Sequence, residues 1–376
     1  MKSATEATDI GHMGVALSLA RRALGRAWPN PAVGCVLVRP EDSFGGRVVG
    51  RGWTAPGGRP HGESAALARA GRAARGATAY VSLEPCDHHG KTPPCTEALI
   101  ESGISRVVIP LEDPDPRVSG RGVARLRRAG IAVDVGLCAA EARESHAGFF
   151  LRITEGRPLV TLKLATSLDG RIATGAGASR WITGAAARAR VHGLRANHDA
   201  VMVGVGTAIA DNPDLTCRLP GLADRSPVRV VMDSHMRLPL DSRLVAGAGA
   251  TPTWLIALAD GPSARRAVLV EAGVRVIAVA ADSSGRVDVA AALTALGTAG
   301  LTRLLVEGGG DLAASLLRAG LVDRMVWVRA PMVIGGDGVS AVAELGVSAL
   351  ADAPTFEPVT VDRVATDLLE TFRRRP

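Results

Sequence analysis

The chain has few aromatic residues and no long apolar run. Only 3% of its 376 residues are Phe, Trp or Tyr, although 47% are apolar, so its cores must be built from Val, Leu, Ile and Ala. No apolar stretch approaches the ~20 residues that a membrane-spanning helix requires. Arginines interrupt the first apolar segment, and no signal-peptide cleavage site follows it. These absences predict a soluble, cytoplasmic protein without a membrane partner.

Cysteine and lysine are also scarce. The five cysteines are an odd, scattered set, which does not suggest a disulfide framework. The 44 basic residues include only three lysines, Lys2, Lys91 and Lys163, and the last two lie within the candidate chemical motifs. The net charge is +7, but the arginines are spread along the chain and no dense basic run with interleaved aromatics occurs. The predicted partner is therefore a phosphorylated small molecule and not nucleic acid.

The segment richest in chemical groups runs from residue 59 to residue 95. It contains three zinc-ligand side chains, His61, Cys86 and Cys95, and Glu63 follows the histidine by two residues. A catalytic zinc site uses three protein ligands and leaves one position open for water, whose pKa the metal lowers. A nearby carboxylate then carries the proton, as in zinc deaminases with H-x-E followed by P-C-x-x-C. The segment predicts a zinc-dependent deaminase with Glu63 as the catalytic acid and base.

The spacing of the two cysteines departs from that pattern. Eight residues separate Cys86 from Cys95, where the deaminases of nucleosides and nucleic acids have two. The inserted residues include His88, His89 and Lys91, cationic or potentially cationic groups that suit a substrate phosphate. A fourth ligand from His88 or His89 would instead close the site and make the zinc structural, an alternative that remains open at this point.

Strands alternate with helices along both halves, which predicts a layered α/β architecture. In the first half we expect a loose tail over 1–8, a helix over 11–25, a helix over 62–75 that carries Glu63, and a further helix that begins at Cys95. Both cysteine ligands would then lie at or near helix N-termini, where the helix dipole favours thiolate. The sequence Gly156-Arg157-Pro158 marks a boundary, so we predict two unrelated domains, residues 9–150 and 157–376.

In the second half, two strands each run into a glycine-containing turn and a helix. The turns lie at 204–207 and 308–311, and such a turn presents free backbone N–H groups and a positive helix end to a phosphate. Neither has the G-x-G-x-x-G spelling of a Rossmann fingerprint, and neither has an acidic residue about 20 positions further on. Alone, neither turn identifies a nucleotide site.

Taken together, these motifs resemble the bifunctional riboflavin-biosynthesis deaminase/reductase family. P-C-x(8)-C, with T-P-P before the second cysteine, is similar to the deaminase half of that family. L-K-L-A-T-S-L-D-G-R-I-A, S-R-W-I-T, L-R-A-N and D-N-P-D-L-T are similar to its reductase half, and the resemblance covers residues 10–340 in the family's domain order. It implies a cytidine-deaminase-like three-layer α/β/α zinc domain, a dihydrofolate-reductase-like α/β domain that uses NADPH, and a homo-oligomer.

The resemblance also implies a set of site residues. In the deaminase half, Asn30 would contact the pyrimidine, with His88 and Lys91 near the ribose phosphate. NADPH would contact residues from several strands and turns: Ala165, Trp181, Thr207, Asp211, Ser234, Gly309, Gly310, Asp311, Leu312, Ala313, Ala314 and Ser315. The second substrate would contact Ser179, Arg195, Leu215, Arg218 and Glu307, with the arginines on its phosphate and with Lys163 and Asp211 near hydride transfer.

Two positions depart from the family pattern. Thr54 stands where the family commonly has histidine, and H-G-E-S-A-A at 61–66 stands where it commonly has H-A-E-V-H-A. Neither change removes a proposed ligand or Glu63, and both concern contacts to the substrate.

The family implies two consecutive reactions. The first half would hydrolytically deaminate 2,5-diamino-6-ribosylamino-4(3H)-pyrimidinone 5′-phosphate, and the second would reduce the ribosyl group of the product to ribityl with NADPH. Two alternatives stay open. One is a nucleoside or nucleic-acid deaminase with an accessory domain, which the cysteine spacing disfavours. The other is a non-catalytic zinc-stabilised binding protein, which a fully ligated zinc would support.

Overall fold

A computed structural model describes residues 4–41, 45–90 and 92–375. The chain divides into two compact units, Met1–Glu155 (unit 1) and Gly156–Pro376 (unit 2), and each unit has its own main sheet. Within the described ranges, no helix is long and apolar enough to cross a membrane.

Unit 1 is a five-stranded sheet with helices on both faces. Its elements are α1 (Ala4–Arg21), β1 (Gly34–Arg39), β2 (Arg47–Trp53), α2 (Gly62–Ala70), β3 (Thr78–Val81), α3 (Cys95–Glu101), β4 (Arg106–Ile109), α4 (Arg121–Arg128), β5 (Ala132–Val135) and α5 (Ala139–Glu155). The strand order is β2-β1-β3-β4-β5, with β1 antiparallel to both of its neighbours and β3, β4 and β5 parallel.

The three layers follow from the two-residue period of β1. Cys35 and Leu37 face a core shared with α2, α3 and α4, whereas Val36 and Val38 face a second core that contains Met13 of α1 and Ala142 of α5. Successive side chains of a strand point to opposite faces, so a strand that is apolar up to its last residue, as β1 is, must be covered on both sides. The predicted three-layer α/β/α fold is confirmed.

Glycine in β2 lets the helix that carries Glu63 approach the sheet closely. A Cβ atom on Gly52 would lie 2.1 Å from the carbonyl oxygen of Gly62, the first residue of α2. Only a residue without a side chain fits there. The first turn of α2 is therefore fixed against the sheet.

Two helix predictions in unit 1 need correction. The first helix begins at Ala4, where a loose tail was expected, because Asp9 accepts hydrogen bonds from the Tyr80 hydroxyl (2.5 Å) and the Arg106 guanidinium (2.7 Å). This helix ends at Arg21 and does not reach Gly25. The helix expected over 62–75 ends at Ala70, because Gly71 has a positive φ of 53°, and a short 3-10 turn follows.

Unit 2 is built on a nine-stranded sheet in the order β11-β10-β9-β8-β12-β6-β13-β16-β15. Its strands are β6 (Leu159–Thr166), β7 (Arg171–Ala173), β8 (Ala200–Gly204), β9 (Val228–Met232), β10 (Thr253–Leu258), β11 (Arg275–Val279), β12 (Arg303–Val306), β13 (Arg324–Arg329), β14 (Val339–Ser340), β15 (Phe356–Val364) and β16 (Asp367–Arg374). Its helices are α6 (Ala185–Ala196), α7 (Val205–Asp211), α8 (Arg243–Ala246), α9 (Ser263–Glu271), α10 (Val289–Thr298) and α11 (Gly310–Arg318). Strands β7 and β14 form a separate two-stranded sheet.

The seven neighbouring strands β11, β10, β9, β8, β12, β6 and β13 are parallel to one another, so their carboxyl ends lie along one edge of the sheet. Open α/β sheets bind ligands outside that edge. The last thirty or so residues, for which the sequence indicated nothing specific, contain β15 and β16, which pair antiparallel with each other, and β16 also pairs antiparallel with β13. The tail therefore completes the sheet of unit 2.

Candidate active sites

Three side chains from separate elements of unit 1 converge on one point. His61 immediately precedes α2, Cys95 is the first residue of α3, and Cys86 lies in the loop after β3. The Nδ1 atom of His61 is 3.3 Å from Cys95 Sγ and 3.6 Å from Cys86 Sγ. Within the described ranges, these three form a group whose ligand atoms all lie within 4.8 Å of one another, and no fourth His, Cys, Asp or Glu joins it.

The chain stabilises a thiolate at this point. A hydrogen bond from Cys95, helped by one from His61, lowers the pKa of the Cys86 thiol to about 4. The backbone N–H of Cys95, at the start of α3, also donates to Cys86 Sγ at 3.4 Å. The same sharing of a proton raises the pKa of the Cys95 thiol. The helix predicted to begin at Cys95 is confirmed, and its first N–H group serves Cys86.

Glu63 lies in the first turn of α2 and is almost fully buried, with 3% of its surface exposed. Burial raises the pKa of its carboxyl group, and the side chain is within hydrogen-bond reach of the Cys95 thiol. A buried carboxyl group with a raised pKa beside the metal ligands is a better proton acceptor than an exposed one, as a general base requires. Two thiols and one imidazole are the donor set that zinc prefers in sites with one open position, so the residues fit this metal.

The predicted pyrimidine contact, Asn30, lies beside the metal ligands. Its side-chain amide donates to the carbonyl of Gly58 at 2.9 Å and lies 3.4 Å from Nε2 of His61. Thr54, the departure from the family pattern, is buried, accepts a hydrogen bond from the N–H of Val33 at 2.9 Å and donates to the carbonyl of Pro31 at 3.0 Å. The threonine thus holds the segment that carries Asn30.

The predicted phosphate loop is described only in part. Lys91 lies outside the described residues. His88 is half-buried, and its buried Nδ1 atom has no hydrogen-bond partner among the residues that the structure describes. Two buried acids, Asp113 and Asp115, lie nearby, since His88 acts on the pKa of Asp115 and the N–H of Asp115 donates to the Asp113 carboxylate at 2.8 Å. The repeated D-P-D-P at 113–116 was the available signal for them.

In unit 2, the two glycine-containing turns meet at the carboxyl edge of the sheet. Strands β8 and β12 are parallel neighbours, and the N–H of Gly204 donates to the carbonyl of Gly308 at 3.3 Å. A Cβ atom on Gly309 would lie 3.4 Å from Oγ1 of Thr207. Gly308 and Gly309 have φ angles of 146° and 90°, which side chains rarely tolerate. The fold therefore joins two turns that the sequence separates by about a hundred residues.

A buried ion pair stands beside these turns. The Arg195 guanidinium donates to both carboxylate oxygens of Glu307, at 2.5 and 2.9 Å, and to the carbonyl of Thr216 at 2.9 Å. Only 10% of the arginine side chain and 6% of the glutamate side chain are exposed. Burial opposes ionisation of Glu307, but Arg195 and Lys163 outweigh it and lower the pKa of the carboxyl group. Burial lowers the pKa of Lys163, whose ammonium group interacts with Glu307.

Several other residues of unit 2 were predicted to contact NADPH or the substrate. Trp181 is exposed, with the Arg188 guanidinium 4.4 Å from its ring, and the nearby Arg180 donates to the carbonyl of Asp211 at 2.8 Å. Ser234 follows β9 at the same edge, where its hydroxyl accepts a hydrogen bond from the N–H of Val287 at 3.0 Å. Three more residues that were predicted as substrate or cofactor contacts are half-buried: Ser179, Ala165 on β6 and Ser315 on α11.

Leu215 differs from the other substrate predictions. Its side chain is 3% exposed and belongs to the hydrophobic core of unit 2, and its φ of 54° is in the left-handed region. Only its main chain is therefore available to a ligand. Arg218, three residues on, is half-exposed and lies 3.4 Å from Asp214.

Sequence reasoning missed His192, which lies one helical turn before Arg195 on α6. Its Nδ1 atom is 3.2 Å from the carbonyl oxygen of Thr216 and 3.3 Å from the main-chain nitrogen of Arg218. The signal for it was the three-residue spacing in H-G-L-R, which puts both side chains on one face of a helix.

Comparison with protein families gives two matches that follow the division into units. The family model of the cytidine and deoxycytidylate deaminase zinc-binding region matches residues 7–111. The family model of the RibD C-terminal domain matches residues 158–369.

Known proteins match along nearly the whole chain. The riboflavin biosynthesis protein RibD of Aquifex aeolicus is 41% identical over 97% of this chain and 98% of its own length. That of Escherichia coli is 39% identical over 96% and 98%. Among solved structures, Acinetobacter baumannii RibD is 34% identical, with a TM-score of 0.86 over 99% of this chain and 100% of that one. A Thermotoga maritima structure, described as a diaminohydroxyphosphoribosylaminopyrimidine deaminase/5-amino-6-(5-phosphoribosylamino)uracil reductase, is 34% identical, with a TM-score of 0.84 over 98% and 99%.

Proposed function

The chain belongs to the RibD family of riboflavin-biosynthesis proteins, and on that premise we propose the reactions of its two units and the residues that perform them. It is a bifunctional deaminase and reductase, with zinc and NADPH as its cofactors. We propose that unit 1 deaminates 2,5-diamino-6-ribosylamino-4(3H)-pyrimidinone 5′-phosphate and that unit 2 reduces the ribosyl group of the product. The observation that carries the proposal is the convergence of His61, Cys86 and Cys95 beside a buried Glu63.

In unit 1, His61, Cys86 and Cys95 hold the metal and Glu63 moves the proton. Zinc, when bound, makes water reactive near neutral pH. Glu63 accepts a proton at a carboxylate oxygen from the water that attacks the amine-bearing carbon, and then donates that proton to the departing amine nitrogen. Its burial supports the first step, because a raised pKa makes the carboxylate a better proton acceptor than an exposed one.

The remaining residues of unit 1 recognise the substrate. Asn30 would present its amide to the pyrimidine from its place beside His61. His88 would donate from the loop between the two cysteines to the ribose phosphate, and Lys91 has the same role by family resemblance. The buried carboxyl groups of Asp113 and Asp115 lie beside this loop.

In unit 2, the two glycine-containing turns would bind NADPH, and the buried ion pair would contact the substrate. NADPH supplies the hydride. Its phosphates and rings would lie against Gly309 and the part of α11 that ends at Ser315, with further contacts from Ala165, Trp181, Thr207, Asp211 and Ser234. Free N–H groups at the start of α11 suit a phosphate.

The substrate of unit 2 would lie over Arg195 and Glu307. Arg218, Ser179 and the main chain of Leu215 would complete the contacts, with the arginines on the phosphate. Lys163 would donate a proton to the sugar oxygen as the ring opens, since burial lowers the pKa of its ammonium group and so eases the loss of that proton.

We also propose that the deaminase domain comprises residues 9–150 and the reductase domain residues 157–376, and that the protein assembles as a homo-oligomer. Sedimentation of the purified chain measures the oligomeric state directly.

The experiment is mass-resolved turnover of the diaminopyrimidine phosphate with and without NADPH. We expect ammonia release without NADPH, followed by a gain of two hydrogens only when NADPH is present. Glu63→Ala should reduce ammonia release by about 10²–10⁴-fold, the usual contribution of a general acid and base, while zinc content stays unchanged. Glu101→Ala, which removes an exposed carboxylate of α3, is the matched control and should leave ammonia release intact.

Zinc-loaded wild-type protein that releases no ammonia would contradict the deaminase assignment. Ammonia release that depends on NADPH would contradict the proposed order of the two reactions.

A further inference from the structure

The two cysteine ligands of unit 1 stand at the ends of one loop, and the ends of that loop are bonded to each other. The N–H of Thr96 donates to the carbonyl of Cys86 at 3.2 Å. The hydroxyl of the fully buried Thr96 donates to the Asp87 carboxylate at 2.6 Å. With the bond from the Cys95 N–H to Cys86 Sγ, these contacts set the separation of the two thiols at the base of the loop.

Helix α4 packs closely against the residues that precede Cys86. The backbone N–H of Val123 donates to the Glu84 carboxylate at 3.1 Å. A Cβ atom on Gly122 would lie 2.2 Å from the carbonyl oxygen of Pro85, so a glycine is required for the helix to approach the chain this closely. The start of α4 is therefore fixed beside the first thiol ligand.

Arg125, on the same helix, contacts the residues that follow both cysteines. Its guanidinium donates to the Asp87 carboxylate at 2.8 Å and lies 3.8 Å from the Glu97 carboxylate in the first turn of α3. One cation thus reaches a carboxylate next to Cys86 and a second one just after Cys95. The Asp87 side chain is 15% exposed and that of Arg125 is 34% exposed, so solvent screens this pair less than a pair on the open surface.

Arg125 also compensates the charge of the Asp87 carboxylate. Both cysteines must lose their protons to bind zinc, so this carboxylate directly follows a thiolate in the chain. Like charges close together are unfavourable unless a cation offsets them. Without the guanidinium, we expect Asp87 to turn from the thiolates toward solvent and to lose its bond to Thr96.

We propose that Arg125 is a positioning residue of the zinc site, acting through Asp87 and Thr96 to hold Cys86 and Cys95 at the separation that the metal needs. This inference rests on the zinc site of the proposed deaminase. It extends that site by a residue of α4, a helix outside the zinc motif.

The experiment removes the guanidinium in two backgrounds, with and without the negative charge of Asp87. Arg125→Met takes away the cation and keeps a side chain of similar reach. Asp87→Asn keeps an oxygen that can accept from Thr96 but gives the guanidinium no carboxylate at this position. Arg128→Met, which removes an exposed cation three residues later on the same helix, is the matched control. If Arg125 acts through Asp87, its removal matters only where that carboxylate is present.

Two quantities are measured on the full chain. The first is the rate at which zinc passes to an excess of a chromogenic chelator. We expect Arg125→Met to release zinc about ten-fold faster than wild type, since substituting a residue that orients metal ligands typically costs about 10–100-fold in metal affinity. In the Asp87→Asn background, the same substitution should change the rate by less than about two-fold.

The second quantity is the absorption spectrum of the cobalt(II)-substituted protein, whose bands report the arrangement of the thiolate ligands. The bands should shift in Arg125→Met, whereas Arg128→Met should match wild type in both spectrum and release rate.

An unchanged release rate in Arg125→Met would overturn the inference. So would an equal acceleration in both backgrounds, since the guanidinium would then act without Asp87. Faster release with an unchanged cobalt spectrum would also contradict it, because that combination indicates a loosened fold and not displaced ligands. If the wild type holds zinc but releases no ammonia, the proposed function fails, while the zinc-release rates still decide the role of Arg125.

Discussion

The two candidate sites are constructed in different ways. In unit 1, the metal ligands and Glu63 come from 35 consecutive residues, His61 to Cys95, and three ligand atoms meet within 4.8 Å. In unit 2, Lys163 lies on β6, Arg195 lies on α6 and Glu307 immediately follows β12, so the three are spread over more than a hundred residues. The first site requires each of its three metal ligands, whereas the second site depends on the charge compensation within a buried ion pair. Loss of one residue should therefore abolish a function in unit 1 and destabilise the fold in unit 2.

The largest effect should come from removing one thiol ligand. Cys95→Ser replaces a thiolate donor with a hydroxyl, which zinc binds poorly at neutral pH. We expect zinc content to fall from one ion per chain toward zero, and ammonia release to fall to background, while NADPH-dependent reduction of the deaminated intermediate continues. Elemental analysis and separate assays of the two reactions measure this. Cys138→Ser, a half-buried thiol of unit 1 outside the ligand group, is the control. Retained zinc in Cys95→Ser would remove the contrast between the sites.

The next effect concerns stability and not chemistry. Arg195→Met would leave the Glu307 carboxylate buried without its bidentate partner, and breaking a buried pair typically costs about 3–5 kcal/mol. Hydrogen exchange followed by mass spectrometry should show faster exchange in peptides of unit 2 and unchanged exchange in unit 1. The double substitution Arg195→Met with Glu307→Met should recover much of the stability but not the reductase activity, since it leaves no uncompensated charge. Equal destabilisation in the single and double variants would contradict the ion-pair argument.

The smallest effect is a pair of opposite pH dependences. Burial raises the pKa of Asp113 to about 7 from an ordinary value of 3.8, so the folded unit 1 binds this proton more tightly than the unfolded chain does. The stabilisation is present below pH 3.8 and is lost as the pH rises toward 7. Burial lowers the pKa of His198 in unit 2 to about 3 from 6.5, so its stabilisation is present above pH 6.5 and is lost as the pH falls toward 3.

Asp113→Asn and His198→Asn separate these two contributions from other titrating groups. Relative to wild type, we expect Asp113→Asn to flatten the loss of stability of unit 1 with rising pH. His198→Asn should flatten the loss in unit 2 with falling pH. Each difference should be at most about 1.4 kcal/mol per pH unit. The free energy of unfolding is measured at each pH by denaturant titration of the zinc-bound protein, and hydrogen exchange of peptides from each unit assigns the change to unit 1 or unit 2. Slopes of the same sign in both units would show that burial of these groups does not set the pH response.

Prediction from sequence succeeded where the signal was local. The helix at Cys95 and the layered α/β architecture of unit 1 follow from local patterns, whereas its three-layer α/β/α order was implied by the family resemblance. It failed where a distant contact decided the outcome. Residues 4–8 are helical because Tyr80 and Arg106 hold Asp9, and the last residues are strands because β13 offers an open edge.

The same division applies to the sites. The ligand set and Glu63 could be named from one motif, because their chemistry is written in residue types at fixed spacing. The burial of Leu215, the partnership of Arg195 with Glu307 and the place of His192 could not, since each depends on which strands are neighbours. Family resemblance named several residues of unit 2 but did not state which of their atoms remain available to a ligand.

The sequence by itself determined the kind of chemistry: thiols, an imidazole and a carboxylate at deaminase spacing, a cationic insertion suited to phosphate, and two α/β halves with a boundary at Gly156. Only the tertiary structure decided the state of those groups. Burial raises the pKa of Glu63, the start of α3 gives an N–H group to Cys86, and the parallel pairing of β8 with β12 brings two glycine turns together. The physical reason is that residue type fixes what a group can do, whereas its protonation and its partners depend on the solvent excluded and the charges placed around it by the fold.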